Sequence, residues 1–231
     1  MPGCFTMTDL CMARLSRRDS AGLIDYGNPI GSLDLAGLSS IVWADQLTDV
    51  QEFIKLDGCG DICYSDRKKP RIKFSQVTVT GCKTSWELDE ITGVAVLAID
   101  ETTDPMNPRP FGAKAIGGAS CGTPDVPPAL VMEAWGKLRD CSGVYRSGIY
   151  RTIFPFATNF AFSGTQMQLG PNDAVLTFDA QVGLVGDGPF HDIPDGWELL
   201  GERAYPYGYF EDDAIPVPDP DCDYVALPAA S

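Results

Sequence analysis

Apolar and polar residues alternate over several short stretches of the chain, and this spacing predicts strands. The clearest case is residues 74–81, "FSQVTVTG", which follow the two-residue period of a strand with two different faces. Residues 174–188 alternate in the same way, and short apolar runs at 38–46 and 94–100 indicate two further strands. Residues 129–140 match neither a helical nor a strand period well. We predict a strand there because prolines precede the segment and the turn-forming "DCSG" follows it.

One short helix is predicted directly after the strand at 74–81. Thr84 and Glu87 lie three residues apart, the spacing of a capping box at a helix start. Leu88 and Ile91 follow at helical spacing, and Gly93 stands where a left-handed residue ends many helices. The pattern predicts a helix of about two turns that buries Leu88 and Ile91 against the sheet.

Aromatic residues and prolines mark the remaining elements. Residues 148–164 are rich in Phe and Tyr and predict a pair of strands bent at Pro155. Residues 56–70 have the composition of a turn, and residues 101–112 contain three prolines that favour an exposed loop. Residues 112–122 predict only a weak strand, since six of their eleven residues are Gly, Ser or Cys.

These elements predict a mainly β, or α+β, chain organised as a β-sandwich or a barrel-like sheet with one short helix. Residues 38–190 form the predicted domain, and residues 1–37 are predicted as an extended arm and loop. Residues 191–231 are predicted as a second, acidic and proline-rich arm, because twelve acidic residues and one basic residue, Arg203, occur from residue 179 onward.

The composition is that of a globular protein with a large negative charge. The chain has 231 residues, 44% of them hydrophobic, and its 17 basic and 32 acidic residues give a net charge of −15. Such a surface does not hold nucleic acid through phosphate neutralisation, which requires clustered positive charge. The first residues lack the charged and apolar regions of a signal peptide, and no apolar run is long enough to span a membrane.

No motif in the sequence predicts catalysis. "GASCG" at residues 118–122 matches G-x-S-x-G around Ser120, and His191 follows in the order of a hydrolase. However, this nucleophile motif requires a helix after the serine, and "TPDVPP" at residues 123–128 prevents one. We therefore predict that the chain is not an enzyme.

Metal and cofactor sites are not predicted either. Cys59, Cys63 and Cys82 lack the paired spacing of a structural zinc site, and His191 is the only histidine. Buried free thiols are the favoured state, and disulfides formed outside the cell are the alternative. The acidic residues between 187 and 195 lack the spacing of a calcium-binding loop.

The order of the segments resembles that of a known family of structural proteins. The segments are "ARLSRRDSAG" (13–22), "DGCGDICYSD" (57–66), "KFSQVTVTGC" with "WELDEITG" (73–93), "MEAWGKL" (132–138), "GIYRTIFPFATNFAF" (148–162) and "NDAVLTFDAQ" (172–181). In this order the chain resembles the major tail proteins, or tail tube subunits, of long-tailed siphophages that infect actinobacteria. Residues 23–56 and 191–210 match the family pattern loosely.

The resemblance implies a structural virion protein without cofactors. Hexameric rings of such subunits stack into a tube, assembled in the host cytoplasm, and phage DNA leaves through its lumen. The implied partners are further copies of the chain and the tape measure, baseplate and tail terminator proteins. The acidic composition agrees with a conduit that must not bind DNA. The alternative is a stand-alone β-sandwich binding module, such as a virion decoration or carbohydrate-binding adhesion domain.

A basic run and the acidic C-terminal region are predicted to meet at the interface between subunits. Opposite charges on two surfaces orient their association. The basic residues are Arg67, Lys68, Lys69, Arg71 and Lys73, and the acidic residues are Asp212, Asp213, Asp219, Asp221 and Asp223.

Overall fold

The fold is mainly β, as the sequence predicts. The computed structural model describes residues 5–19, 24–25, 28, 30–49, 52–56, 62–67, 69–83, 85–100, 109–115, 128–140, 142, 145–162, 176–183, 207–212 and 224–225. These residues form one helix, α1 (Trp86–Ile91), and thirteen strands. The strands are β1 (Phe5–Arg17), β2 (Ser32–Leu35), β3 (Leu38–Leu47), β4 (Glu52–Leu56), β5 (Ile62–Arg67), β6 (Ile72–Gly81), β7 (Ala95–Asp100), β8 (Arg109–Ala115), β9 (Leu130–Asp140), β10 (Tyr145–Phe162), β11 (Leu176–Val182), β12 (Gly208–Asp212) and β13 (Tyr224–Val225).

Nine of the strands form one antiparallel sheet. Its order is β13-β2-β1-β9-β10-β11-β6-β3, and β12 pairs with β10 off this path. The 18-residue β10 holds the sheet together, because β9 pairs along one of its edges while β12 and then β11 pair along the other. The remaining strands form two hairpins, β4–β5 and β7–β8.

The sheet curls so that its two ends approach each other. β2 and β3 lie near opposite ends of the strand order, yet only Ala36 and Gly37 separate them in the chain. Two residues span at most about 10 Å, whereas six strand spacings of a flat sheet would span about 29 Å. The curl also brings β1 and β3 into contact. The arrangement is therefore barrel-like on the side where these strands meet.

The concave side of the curl holds the hydrophobic core. Strands from both halves of the sheet contribute to it, and its largest fully buried members include Phe154, Phe178 and Met132. The alternate burial of β11 and β6, with Val77, Val79 and Phe178 fully buried, follows the two-residue period of the sequence.

The helix closes one part of this core. Leu88 is fully buried and Ile91 is 1% exposed, which confirms the predicted inward face. Gly93 has φ 74°, its N–H donates to Glu90 O, and Val94 N–H donates to Asp89 O, so the helix ends in a Schellman motif. The predicted capping box at Thr84 is wrong by one residue, because the N-cap is Ser85, whose side chain accepts a hydrogen bond from Leu88 N–H.

The second face of β2, β1, β9 and β10 buries charged residues in pairs. Arg14 Nε and Nη2 donate to the two carboxylate oxygens of Asp34 at 2.6 and 3.1 Å. Arg151 donates to Glu133, and its Nε lies 3.0 Å from Glu133 Oε1. Both guanidinium groups lie over the ring of Trp135, at 5.5 and 5.7 Å from its centroid. All four charged residues are buried, and each positive charge has a negative partner.

The predicted division into a domain and two arms is wrong for the described terminal segments. Residues 1–37 include β1, which lies between β2 and β9 inside the main sheet, and residues 191–231 include β12 and β13 of the same sheet. The arm prediction for residues 1–37 failed because β1 is buried on both faces from Met12 to Ser16. Its polar residues Arg14 and Ser16 gave no strand-like alternation, although Asp34 and Ser32 of β2 bind them.

Three further predictions need correction. Residues 62–67, predicted as part of a turn, form β5, and residues 109–112, predicted as loop, begin β8. The predicted strand pair bent at Pro155 is the single strand β10, because the ladder with β9 skips from Phe154 to Ala157 and so requires no N–H donor from Pro155.

Candidate assembly surface

Two antiparallel strand pairs are nested within residues 38–81, β3–β6 in the main sheet and β4–β5 between them in the chain, and together they are called the hairpin of residues 38–81. β3 pairs with β6 from Leu38 to Leu47, and β4 then pairs with β5 as a continuation of the same hairpin. Thr48 joins the two halves, since its N–H donates to Arg71 O at 2.7 Å and its Oγ1 accepts from Arg71 N–H at 3.0 Å. Among the described strands, β4 and β5 pair only with each other.

The inner half of the hairpin is anchored to the body at Trp43 and Asp45. The ring of Trp43 packs against Phe154 and Tyr207, with centroid distances of 5.7 Å in both cases. Asp45 accepts a hydrogen bond from Ser75 Oγ at 2.5 Å and lies 3.5 Å from the Tyr207 hydroxyl. From residue 44 to residue 49 every side chain is exposed, so the hairpin leaves the body just beyond these anchors.

β3 also ends the main sheet and leaves one backbone edge without a strand partner in the described part of the chain. It is the last strand of the order and pairs only with β6. Val42 and Leu47 on β3 are 60% and 57% exposed, and Ile54 on β4 is 52% exposed. An exposed apolar edge strand is a template for pairing with another chain.

The predicted basic run lies where the outer half of the hairpin joins the inner half. Lys69, Arg71 and Lys73 are exposed and form no ion pair within the described residues. Arg67 is the last residue of β5, but only its backbone is described, and Lys68 lies outside the described residues. The run therefore belongs to the hairpin and to the surface around it.

The predicted acidic partners are not brought to this run by the described structure. Asp212 ends β12 opposite Ile149 of β10, and only its backbone is described. Asp213, Asp219, Asp221 and Asp223 lie outside the described residues. The predicted pairing of these two charged regions stays a prediction.

The residues considered for catalysis and metal binding lie mostly outside the described part of the chain, including Ser120, His191 and Cys59. The described residues contain no group of three or more His, Cys, Asp or Glu side chains that could hold a metal ion.

Cys11 and Cys82 are free thiols, and burial raises the pKa of the Cys11 thiol. Cys82 Sγ lies 3.0 Å from Gly37 O at the β2–β3 turn.

A cavity of about 290 Å³ lies at the seam where β1 and β3 meet. Its lining includes the aromatic residues Trp43, Tyr150 and Phe154, with Asp9 and Ser40 from the two seam strands. Asp9 has φ 54°, an uncommon backbone conformation for a residue other than glycine, within an irregular part of the β1–β9 ladder. A largely apolar cavity with a few polar groups is the usual form of a small-ligand site.

Sequence reasoning found the basic run but missed the hairpin and the edge strand. The turn-like composition of residues 56–70 concealed β5, and with it the continuation of β3–β6 into β4–β5. The predicted strand at 38–46 gave no sign of an uncovered side, because Val42 is apolar like its neighbours although it is 60% exposed.

No protein-family model matches the chain, and no curated protein matches it. Within the described ranges, no helix has both the length and the apolar character needed to cross a membrane.

Proposed function

We propose that the chain is a tail tube subunit of a long-tailed phage, which forms rings that stack into a tube for the passage of DNA. The observation that supports this most strongly is the hairpin of residues 38–81, which continues the edge strand β3 beyond the body. A surface that binds a different surface of the next copy produces either a closed ring or an open filament.

The charge of the chain supports the same proposal. A net charge of −15 per copy would give 6 × −15 = −90 for a ring of six. DNA would pass such a surface without being retained, because no counterions are released by binding it. On this proposal the partners are other copies of the chain and the proteins at the two ends and in the lumen of a phage tail: the baseplate, tail terminator and tape measure proteins.

Electron microscopy of the purified protein tests the proposal. We expect rings or tubes with a central channel at micromolar concentration. The double variant Val42→Lys/Leu47→Lys should not form them, since lysine on an edge strand opposes strand pairing. Val96→Lys is the matched control, because Val96 is 56% exposed but lies on β7 outside the main sheet. Dispersed monomers of the parent protein at every concentration tested would contradict the proposal.

A stand-alone binding module is the second candidate function, and the cavity at the β1–β3 seam favours it. Its aromatic lining suits the apolar face of a sugar ring, and Asp9 and Ser40 offer polar groups. Titration of the monomeric protein with simple sugars, followed by tryptophan fluorescence, separates the two functions. Saturable binding that Trp43→Ala abolishes, together with an absence of rings, would favour the module.

A further inference from the structure

The cavity at the β1–β3 seam exists because β9 carries small residues where its neighbours carry large ones. Gly136 pairs with Leu10 of β1 and with Tyr150 of β10. Ala134, two residues away on the same face of β9, pairs with Thr152 of β10. The larger residues Leu10, Tyr150 and Thr152 all line the space. The cavity therefore follows from the sizes of the residues on β9.

Aromatic residues from two strands form walls of this cavity. Trp43 comes from β3, and Tyr150 and Phe154 come from β10. The ring centroids of Trp43 and Phe154 are 5.7 Å apart and the ring planes meet at 73°, so the two rings form a corner rather than one flat platform. Phe154 is fully buried and Trp43 only partly, so Trp43 is the ring that a ligand reaches. Aromatic faces attract cations, and the indole face attracts them most strongly.

A β-bulge places one carboxylate, that of Asp9, at the same cavity. Thr8 and Leu10 pair with consecutive residues of β9, so Asp9 is an extra residue in the ladder, with φ 54°. A bulge of this kind redirects a side chain. The described residues that line the cavity include no Lys, Arg or His. The charged group of the lining is thus negative.

Arg139 is the competitor for this carboxylate. Its Nη2 lies 3.7 Å from Asp9 Oδ2, and the two side chains are 38% and 48% exposed. An ion pair of this length and exposure is weak, so Asp9 still attracts a cation that enters the cavity. The net charge of −15 also raises the concentration of cations near the protein.

We propose that the cavity at the β1–β3 seam binds a small organic cation, an ammonium group on a short carbon frame. Trp43 attracts the charge through its indole ring, and Asp9 supplies the counter-charge. Leu10 and Ile41 line the cavity beside them and contact the carbon frame. The inference goes beyond the proposed function, because the site lies within one copy and requires no assembly. It also differs from the sugar considered above, which carries no charge.

Isothermal titration calorimetry of the full chain with choline tests the proposal. The neutral isostere of choline, in which a carbon atom replaces the nitrogen, has the same shape and isolates the effect of the charge. We expect saturable binding of choline, about tenfold tighter than binding of the isostere. Equal affinity for the two compounds, or binding of neither, would overturn the proposal. Saturable binding of glucose without binding of choline would overturn it as well.

Asp9→Asn tests the counter-charge. It should weaken choline binding several-fold and leave binding of the isostere unchanged, and asparagine tolerates the positive φ of this position. Asp19→Asn is the matched control, because Asp19 is an exposed carboxylate just beyond β1 that does not line the cavity. An equal loss of choline affinity in the two variants would assign the attraction to the overall charge and overturn the site.

Arg139→Gln should have the opposite effect and tighten choline binding several-fold, because it removes the competing cation. Weaker binding in this variant would contradict the role of Asp9.

Trp43→Leu removes the aromatic ring and keeps an apolar side chain. It should weaken binding of choline more than binding of the isostere, whereas an equal loss for both compounds would overturn the contact between the cation and the ring. If this variant does not fold, the Asp9 and Arg139 variants carry the test, since both side chains are exposed by more than a third.

Discussion

At the scale of single residues, the turn at Gly37 depends on the absence of a side chain. Gly37 has φ 69°, and an added Cβ would lie 3.0 Å from Cys82 Sγ and 3.1 Å from Lys83 Cγ. Gly37→Ala should lower the free energy of unfolding by about 1–2 kcal/mol, the cost of a left-handed conformation for an L-residue. Urea denaturation measures the change. Gly112→Ala is the control, because its Cβ would meet nothing within 4 Å. Equal losses of unfolding free energy in Gly37→Ala and Gly112→Ala would refute this explanation.

The buried ion pair of Arg14 and Asp34 gives a second prediction at this scale. Asp34 is 1% exposed and accepts two hydrogen bonds from Arg14. Asp34→Asn should reduce stability by about 3–5 kcal/mol, because it leaves a buried guanidinium without its counter-charge. Asp9→Asn removes the exposed pair with Arg139, whose atoms are 3.7 Å apart, and should cost about 0–1 kcal/mol. Asparagine also tolerates the positive φ of Asp9. Thermal or urea unfolding that ranks the two variants equally would contradict the prediction.

At the scale of elements, the helix buries its inner face in the core. Ile91 is 1% exposed, and Ile91→Ala should cost about 2–5 kcal/mol from lost transfer energy and the cavity that remains. Ile99→Ala in β7 provides the control, since Ile99 is 48% exposed and its loss should change stability by about 0.5 kcal/mol or less. Urea denaturation measures the loss of unfolding free energy in both variants, and the loss should be larger for Ile91→Ala. An Ile91→Ala protein as stable as its parent would show that α1 does not close the core.

Elements with one buried and one exposed face were predictable from their own spacing, whereas β9, buried on both faces from Leu130 to Gly136, was predicted only from the prolines and the turn that flank it, and β1 was not predicted. β6 and the helix follow their periods because water lies on one side of each. β1 has apolar partners on one face and ion-paired partners on the other, so its pattern depends on β2, which the sequence does not place beside it. Ser85 and Thr84 can both cap a helix, and only the path of the chain before α1 selects Ser85.

At the scale of the whole molecule, the basic run at the hairpin predicts an assembly that depends on salt. Lys69→Glu/Lys73→Glu should slow tube formation several-fold at low salt, and the difference from the parent should narrow as the Debye length falls below about 10 Å. Light scattering follows the kinetics. Lys83→Glu/Lys114→Glu changes the net charge by the same amount at two other exposed lysines and should have a smaller effect. Identical kinetics for the two double variants at every salt concentration would exclude a role for the run.

The candidate surface at this scale could be predicted only in part. The basic run is contiguous in sequence and was found. The edge of β3 has no strand partner in the described part of the chain because β3 is the last strand of the sheet, and the order of strands is not visible in local sequence. The order of strands joins residues more than 100 positions apart, such as Leu15 and Met132, and local spacing carries no information on such pairs.

The position of β1 in the middle of the sheet sets an order of events during synthesis of the chain. β1 leaves the ribosome first, yet one of its two neighbours, β9, ends at Asp140. Both strand pairs of the hairpin lie within residues 38–81, so all four of their strands are synthesised before β9, at about 5–20 residues per second. The residues of the hairpin are therefore synthesised before the curled sheet that holds the hairpin in its orientation is complete. On the proposed function, a chain that is still being synthesised could not present its hairpin in a fixed orientation to other copies, and completion of the chain would set the time of assembly.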